Sequence, residues 1–351
     1  MVIIIADDLS KTGGIQHAIL ELYEFLSVEL DQKVIIVCRV PPKKNIQTAV
    51  VLSNLSLGEY LFKLFSFIRK QKPNTVISSD CIFSITLLLL KATKSIENLI
   101  SWEHLAFDNN SQYLRSLSRP LCAIISDRIV TITNEQSVKW NQLIPKNKSK
   151  ALPIPNLPPY NLLSFTPPPQ TPKTNKILVI GNNIYVKGVD QIINAFSLIN
   201  MNDWFLEICG LSSHDVSFLK SRNAKISSNI TFSYYEYDTD YPTLYAAIAS
   251  SRLVLNFSRT EVLPLTQMEA YIMGTHFAAS SYTTPGLAYN VLSYHHGFVF
   301  THYSQKYLAR FLYRFISVSH RNALLPSLED RRRVLKSARF KSENLWKSMI
   351  N

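Results

Sequence analysis

Glycine is scarce in this chain: nine residues in 351, against a usual share of about 7%. Flexible Gly/Ser linkers and collagen-like repeats are thereby excluded, and each glycine is expected where a Cβ would not fit. Only four cysteines occur, Cys38, Cys81, Cys122 and Cys209. They form no C-x-x-C pair and have no histidine partners at zinc-ligand spacing, which argues against a disulfide scaffold or a zinc site and for buried thiols in a reducing compartment. Long apolar runs are missing too. The stretch "CIFSITLLLL" (81–90) is ten residues where a membrane span needs about twenty. The N-terminal "MVIIIADD" has no cationic segment before it and is only a strand long, so a cytoplasmic protein is expected.

Acidic residues are outnumbered, 25 to 37, giving a formal net charge of +12, and residues 301–351 hold eleven Lys or Arg against three acids. Such an excess calls for an anionic partner. The chain lacks an RNP pattern, a zinc finger and a recognition-helix motif, so nucleic acid is not the expected partner. A cytoplasmic membrane surface or a phosphate-bearing substrate accounts for the charge equally well.

The apolar content is 46%, enough for a large core, and the length suggests two domains. Short Val/Ile-rich runs alternate with longer amphipathic segments, the pattern of parallel strands under helices. Strands are expected near 2–5, 33–38, 74–78, 98–102 and 128–133, then near 176–180, 205–209, 230–232, 253–257 and 276–279. The segment 153–172 holds eight of the seventeen prolines and reads as a stiff connector. The fold class expected is α/β, with two Rossmann-like doubly wound parallel sheets: residues 1–156, a linker 157–174, residues 175–326, and a terminal helix 327–351 packing back on the first domain.

The stretch "SRTEVLPLTQMEAYIMG" (258–274) follows a strand and spaces Glu261 and Glu269 eight residues apart. Pro264 suits a first helical turn and Gly274 a stop. The free amides of Leu265 and Thr266 would then face a phosphate at the helix start. Carboxylates beside a phosphate need neutral donors, and sugar hydroxyls are the obvious ones. "DTD" (238–240) reads as a loop with an Asp cap rather than a metal site. "GEYLFKLFSFIRKQK" (58–72) is amphipathic, either a core helix or one lying on a membrane.

The E-x7-E stretch resembles that of the retaining glycosyltransferases of family 4, which have the GT-B fold. Further segments are similar to that family in the same order: "TGGIQHAILEL" (12–22), "SWEHLAFD" (101–108), "PIPN" (153–156), "LVIGNNIYVKGVDQIINAF" (178–196) and "LEICG" (206–210). The resemblance implies a hexosyltransferase using a nucleotide-sugar donor, UDP-hexose by preference, and no metal or other cofactor. It implies Glu261 on the donor sugar, Glu269 on the ribose, Leu265, Thr266 and Lys187 on the diphosphate, and His104 beside the sugar. Gly13, Gly14, Gly181, Asn182, Gly210 and Tyr234 would line the donor site. A lipid-linked or lipopolysaccharide-type glycan is the acceptor it implies, with bacterial surface polysaccharide as the setting.

Three positions depart from the family pattern. Asn182 stands where an arginine is common, Val262 where a glycine follows the first glutamate, and Tyr234 where a glycine is usual. A non-catalytic scaffold or binding subunit is the competing reading. A nicotinamide-dependent enzyme is disfavoured, because "TGGIQHA" is not G-x-G-x-x-G.

Overall fold

The computed structural model describes residues 1–350 except 11–12, 42–45, 47, 53–54, 105–112, 149, 167–171, 200–202, 223–225, 227, 235–240, 281–296, 301–302 and 319–325. It divides into two compact units, Met1–Pro159 with Ala338–Asn351, and Tyr160–Ser337.

In the first unit the strands are β1 (Val2–Ile5), β2 (Val34–Cys38), β3 (Ala49–Val51), β4 (Thr75–Ser78), β5 (Asn98–Glu103), β6 (Arg128–Thr131) and β7 (Leu152–Pro153). They form one parallel sheet in the order β3-β2-β1-β4-β5-β6-β7. The second unit holds β8 (Lys176–Ile180), β9 (Phe205–Cys209), β10 (Ile230–Ser233), β11 (Leu253–Asn256), β12 (His276–Ser280) and β13 (Gly297–Phe300). Their order is β10-β9-β8-β11-β12-β13, again parallel. In both sheets the first strand is central and the chain reverses its winding beside it. Open α/β sheets bind ligands at that reversal, outside the strands' carboxyl ends.

These sequences make buried strands because both faces are apolar: all four residues of β1 and of β11 are buried. Helices supply the covering layers. The helix Leu57–Gln71 begins with a Ser56/Glu59 capping box and ends at Lys72 in the left-handed region. Tyr60, Leu64 and Ile68, four residues apart, lie wholly inside the first core, each aliphatic worth about 1.5–3 kcal/mol of burial. The stretch 58–72 is therefore a core helix. In the second unit Ile192, Ile193 and Phe196 pack with Ile177, Val179, Leu206 and Leu255.

The proline-rich connector contains more structure than its composition suggests. Pro153 pairs with Thr131 at the sheet edge, where a missing amide is tolerated. The helix Tyr160–Ser164 buries Leu162 and Leu163. The terminal helix Leu328–Ile350 is divided between the units after Ser337. Its last part packs in the first unit: Trp346 meets Trp102 edge to face at 5.1 Å, and Arg339 bonds Glu21 and the Pro158 carbonyl. All four cysteines are free and buried. Among the described residues no helix is long and apolar enough to cross a membrane.

Candidate functional site

The loop leaving β8 and the loop leaving β11 stand on either side of the reversal in the second sheet. Lys187 comes from the first and Glu261 from the second. They meet in an ion pair, Lys187 Nζ to Glu261 Oε2 at 2.5 Å, with both side chains partly exposed. Glycines make the approach possible. The Lys187 side chain runs across Gly181, where a Cβ would lie 2.5 Å from Lys187 Cγ. Gly188 has φ +65°, and a Cβ there would come within 2.2 Å of the Phe257 carbonyl oxygen. Gly210, at φ +98°, backs onto the Gly181 carbonyl.

A second pair holds these loops in register. Arg259 grips Asp190 with both guanidinium nitrogens, at 2.8 and 2.7 Å, and donates to the Tyr185 carbonyl at 2.5 Å. Its Cζ lies 4.2 Å from the Tyr185 ring centroid, and its backbone amide donates to the Val186 carbonyl. Burial raises the Asp190 pKa, but the hydrogen bond and charge of Arg259 outweigh it and hold the carboxyl below its ordinary value. Asp190 opens the helix Val189–Phe196. The clamp thus ties the Lys187 loop to the segment that carries Glu261.

Pro264, in extended conformation, precedes the helix Leu265–Ile272. The first-turn amides, those of Leu265 and Thr266 included, have no partner within the helix, so this terminus presents donors and a partial positive charge. Glu269 lies within the helix and is fully buried. Val262 is not among the described residues with positive φ, and its side chain is buried. It occupies the usual glycine position in an ordinary backbone conformation. Asn182 is exposed in the β8 loop, and Tyr234, 61% exposed, follows β10. Residues 238–240 lie outside the described residues.

The remaining site candidates belong to the first unit. Gly13 is extended, and Gly14 opens the helix Gly14–Glu24. A Cβ at Gly13 would come within 2.7 Å of the Gln16 amide oxygen, but one at Gly14 would meet nothing within 4 Å, so the expectation that each glycine sits where a Cβ would not fit does not hold at Gly14. His104 directly follows β5, its ring centroid 4.1 Å from that of Trp102. Burial pushes its pKa down to about 3, which keeps the imidazole neutral, and its Nε2 has no hydrogen-bond partner among the described residues.

Sequence reasoning missed Arg259, Asp190 and Tyr185. The signals available were an arginine two residues before Glu261 and an acid three after Lys187; the 69-residue separation of the pair hides their union.

Residues 165–336 match the family model described as glycosyl transferases group 1. That match lies within the second unit. The chain is also 25% identical, over 241 residues, to an uncharacterized glycosyltransferase of Haemophilus influenzae, a match covering 68% of this chain and 65% of that protein, slightly under two thirds of its length. Among solved structures it is similar to sucrose-phosphate synthase of Thermosynechococcus elongatus, with TM-score 0.78, 15% identity and coverage of 99% and 98% of the two chains. It is likewise similar to HepE of Anabaena in complex with UDP-glucose, with TM-score 0.75, 14% identity and coverage of 99% and 100%. These likenesses show the GT-B type of fold, two parallel-sheet α/β domains.

Proposed function

We propose that the protein is a retaining hexosyltransferase of family 4 type, which moves a hexose from a UDP-sugar to a glycan acceptor. The observation that carries this reading is the Lys187–Glu261 pair at the head of the helix Leu265–Ile272. A cation and a carboxylate pair there, the carboxylate four residues ahead of a helix start whose first amides have no intrahelical partner, beside the sheet reversal. A diphosphate satisfies the amides and the ammonium together, while Glu261 accepts hydrogen bonds from sugar hydroxyls. Lys187 passes from Glu261 toward the diphosphate as the donor binds, and so sits where charge grows on the leaving group.

In the reaction the acceptor oxygen bonds to the anomeric carbon as the carbon–oxygen bond to the diphosphate breaks. UDP departs from the same face, and its phosphate oxygen takes the acceptor's proton, so no protein base is required. Neutral His104 serves as a hydrogen-bond partner for a sugar hydroxyl. Glu269 binds the ribose, which requires the nucleotide to uncover a carboxylate that is buried in the free protein. Gly13 and Gly14, at the start of the helix Gly14–Glu24, are phosphate-side candidates of the first unit. HepE, whose complex contains UDP-glucose, supports UDP as the nucleotide.

A membrane-borne glycan carrying phosphate suits the net charge of +12. The exposed face of the helix Tyr113–Ile125 offers a contact for such a surface, with Leu117, Leu121 and Ile124 each about half exposed.

The test is hydrolysis and transfer from a panel of nucleotide sugars, followed by proton NMR of the released anomer. Release from a UDP-hexose with retained configuration is expected, reduced about 100-fold or more in Glu261→Ala. Release of the inverted anomer, or equal rates in the variant, would overturn the reading.

A further inference from the structure

We infer that the turn Tyr271–Thr275, at the opposite end of the second sheet from Lys187, forms a binding site for a small phosphate-class oxyanion. The strands of this sheet are parallel, so the starts of β8, β11 and β12 lie together, a strand length, about 15 Å, from the loops that carry Lys187 and Glu261. Three cations gather at those starts: Lys173 three residues before β8, Arg252 just before β11, and Arg331 from the helix Leu328–Ile350.

Lys173 Nζ donates to Thr275 Oγ1 at 2.6 Å, and Thr275 Oγ1 in turn donates to the Ile248 carbonyl at 2.7 Å. Arg331 is 9% exposed and lies directly over Gly274, where a Cβ would be 2.1 Å from its Nη1. That nitrogen donates to the Tyr271 carbonyl at 3.2 Å, while the buried Nε has no hydrogen-bond partner. Arg252 is held by Asn175 at 3.0 Å.

Among the described residues neither Lys173 nor Arg331 pairs with a carboxylate. Asp330, adjacent in sequence, is taken by Ser327 and Arg333. Burial first, and then the charges of Arg331 and Arg252, lower the Lys173 pKa to about 7. The carboxyl end of the helix Leu265–Ile272 offsets part of the Arg331 charge and leaves Lys173 uncompensated. A buried guanidinium such as that of Arg331 is normally matched by an anion. A tetrahedral oxyanion fits the donors present, with a planar guanidinium and an ammonium converging on one turn. The burial of Arg331, 9% exposed, favours a small free inorganic ion over a headgroup held in a bilayer.

The experiment is calorimetric titration of the full chain with inorganic phosphate at constant ionic strength. It is run in a Lys187→Met background, so that phosphate at the proposed donor site does not contribute. Saturable binding near one phosphate per chain is expected, weakened about tenfold or more by Lys173→Met and by Arg331→Met. Should Arg331→Met fail to fold, Lys173→Met, at a partly exposed side chain, decides the matter. Absence of saturable binding in the Lys187→Met protein, or binding unchanged by Lys173→Met, would overturn the inference. Either result leaves the assignment of Lys187 and Glu261 intact.

Discussion

At the residue scale, the pairing of Lys187 with Glu261 explains how a carboxylate is tolerated beside a helix start that favours phosphate. The ammonium neutralises it, and in the proposed function a diphosphate competes for the same cation. Arg259 is the residue that keeps the two within reach. Its bidentate grip on Asp190 and its bond to the Tyr185 carbonyl fix the Lys187 loop against the Glu261 segment. Arg259→Ala is expected to lower kcat/KM for the donor about 10- to 100-fold. Lysine does not restore a bidentate contact, so Arg259→Lys recovers little. A double-mutant cycle with Asp190→Ala should give a coupling of about 1–3 kcal/mol. Additive losses in that cycle would remove the clamp from the account.

At the element scale, the strand cores were legible in the sequence because both their faces are buried, so runs such as "VIII", "KILVI" and "FLEIC" stand out against amphipathic helices. The strands left unread, β3, β7 and β13, lie at sheet edges. β3 has three residues and β7 two, one of them a proline, too short for an alternation or an apolar run to register. The E-x7-E spacing made the helix Leu265–Ile272 and its amide-rich start readable. The Lys187–Glu261 and Arg259–Asp190 unions were not, because contacts between residues about seventy apart are set by sheet order rather than by local pattern. Gly188 connects the two levels. Its left-handed φ and its contact with the Phe257 carbonyl leave no room for a side chain between the β8 loop and the end of β11. Gly188→Ala should destabilise the second unit by about 1–3 kcal/mol and weaken donor binding with it. Denaturant unfolding alongside nucleotide titration checks both, and an unaffected variant would show that the loop adapts freely.

At the scale of the whole molecule, charge and exposed apolar surface point the same way. Under the proposed function, the excess of basic residues is what would draw the protein to an anionic surface, and the stripe of Leu117, Leu121 and Ile124 is what would supply apolar contact. Binding to vesicles containing anionic phosphatidylglycerol should therefore fall with added salt and fall further, about tenfold, in Leu121→Glu. Equal binding to neutral vesicles, with no effect of the substitution, would leave the surface without this role.

The reading of the second unit as a donor site rests on the cation and carboxylate that meet at the helix start. Calorimetric titration with UDP tests it most directly. The wild-type protein should bind one UDP, with affinity falling about tenfold or more in Lys187→Met, since one charge-assisted contact to the diphosphate is lost. If UDP binds the Lys187→Met protein as tightly as the wild type, or binds neither, the pair formed by Lys187 and Glu261 is not a nucleotide-sugar site.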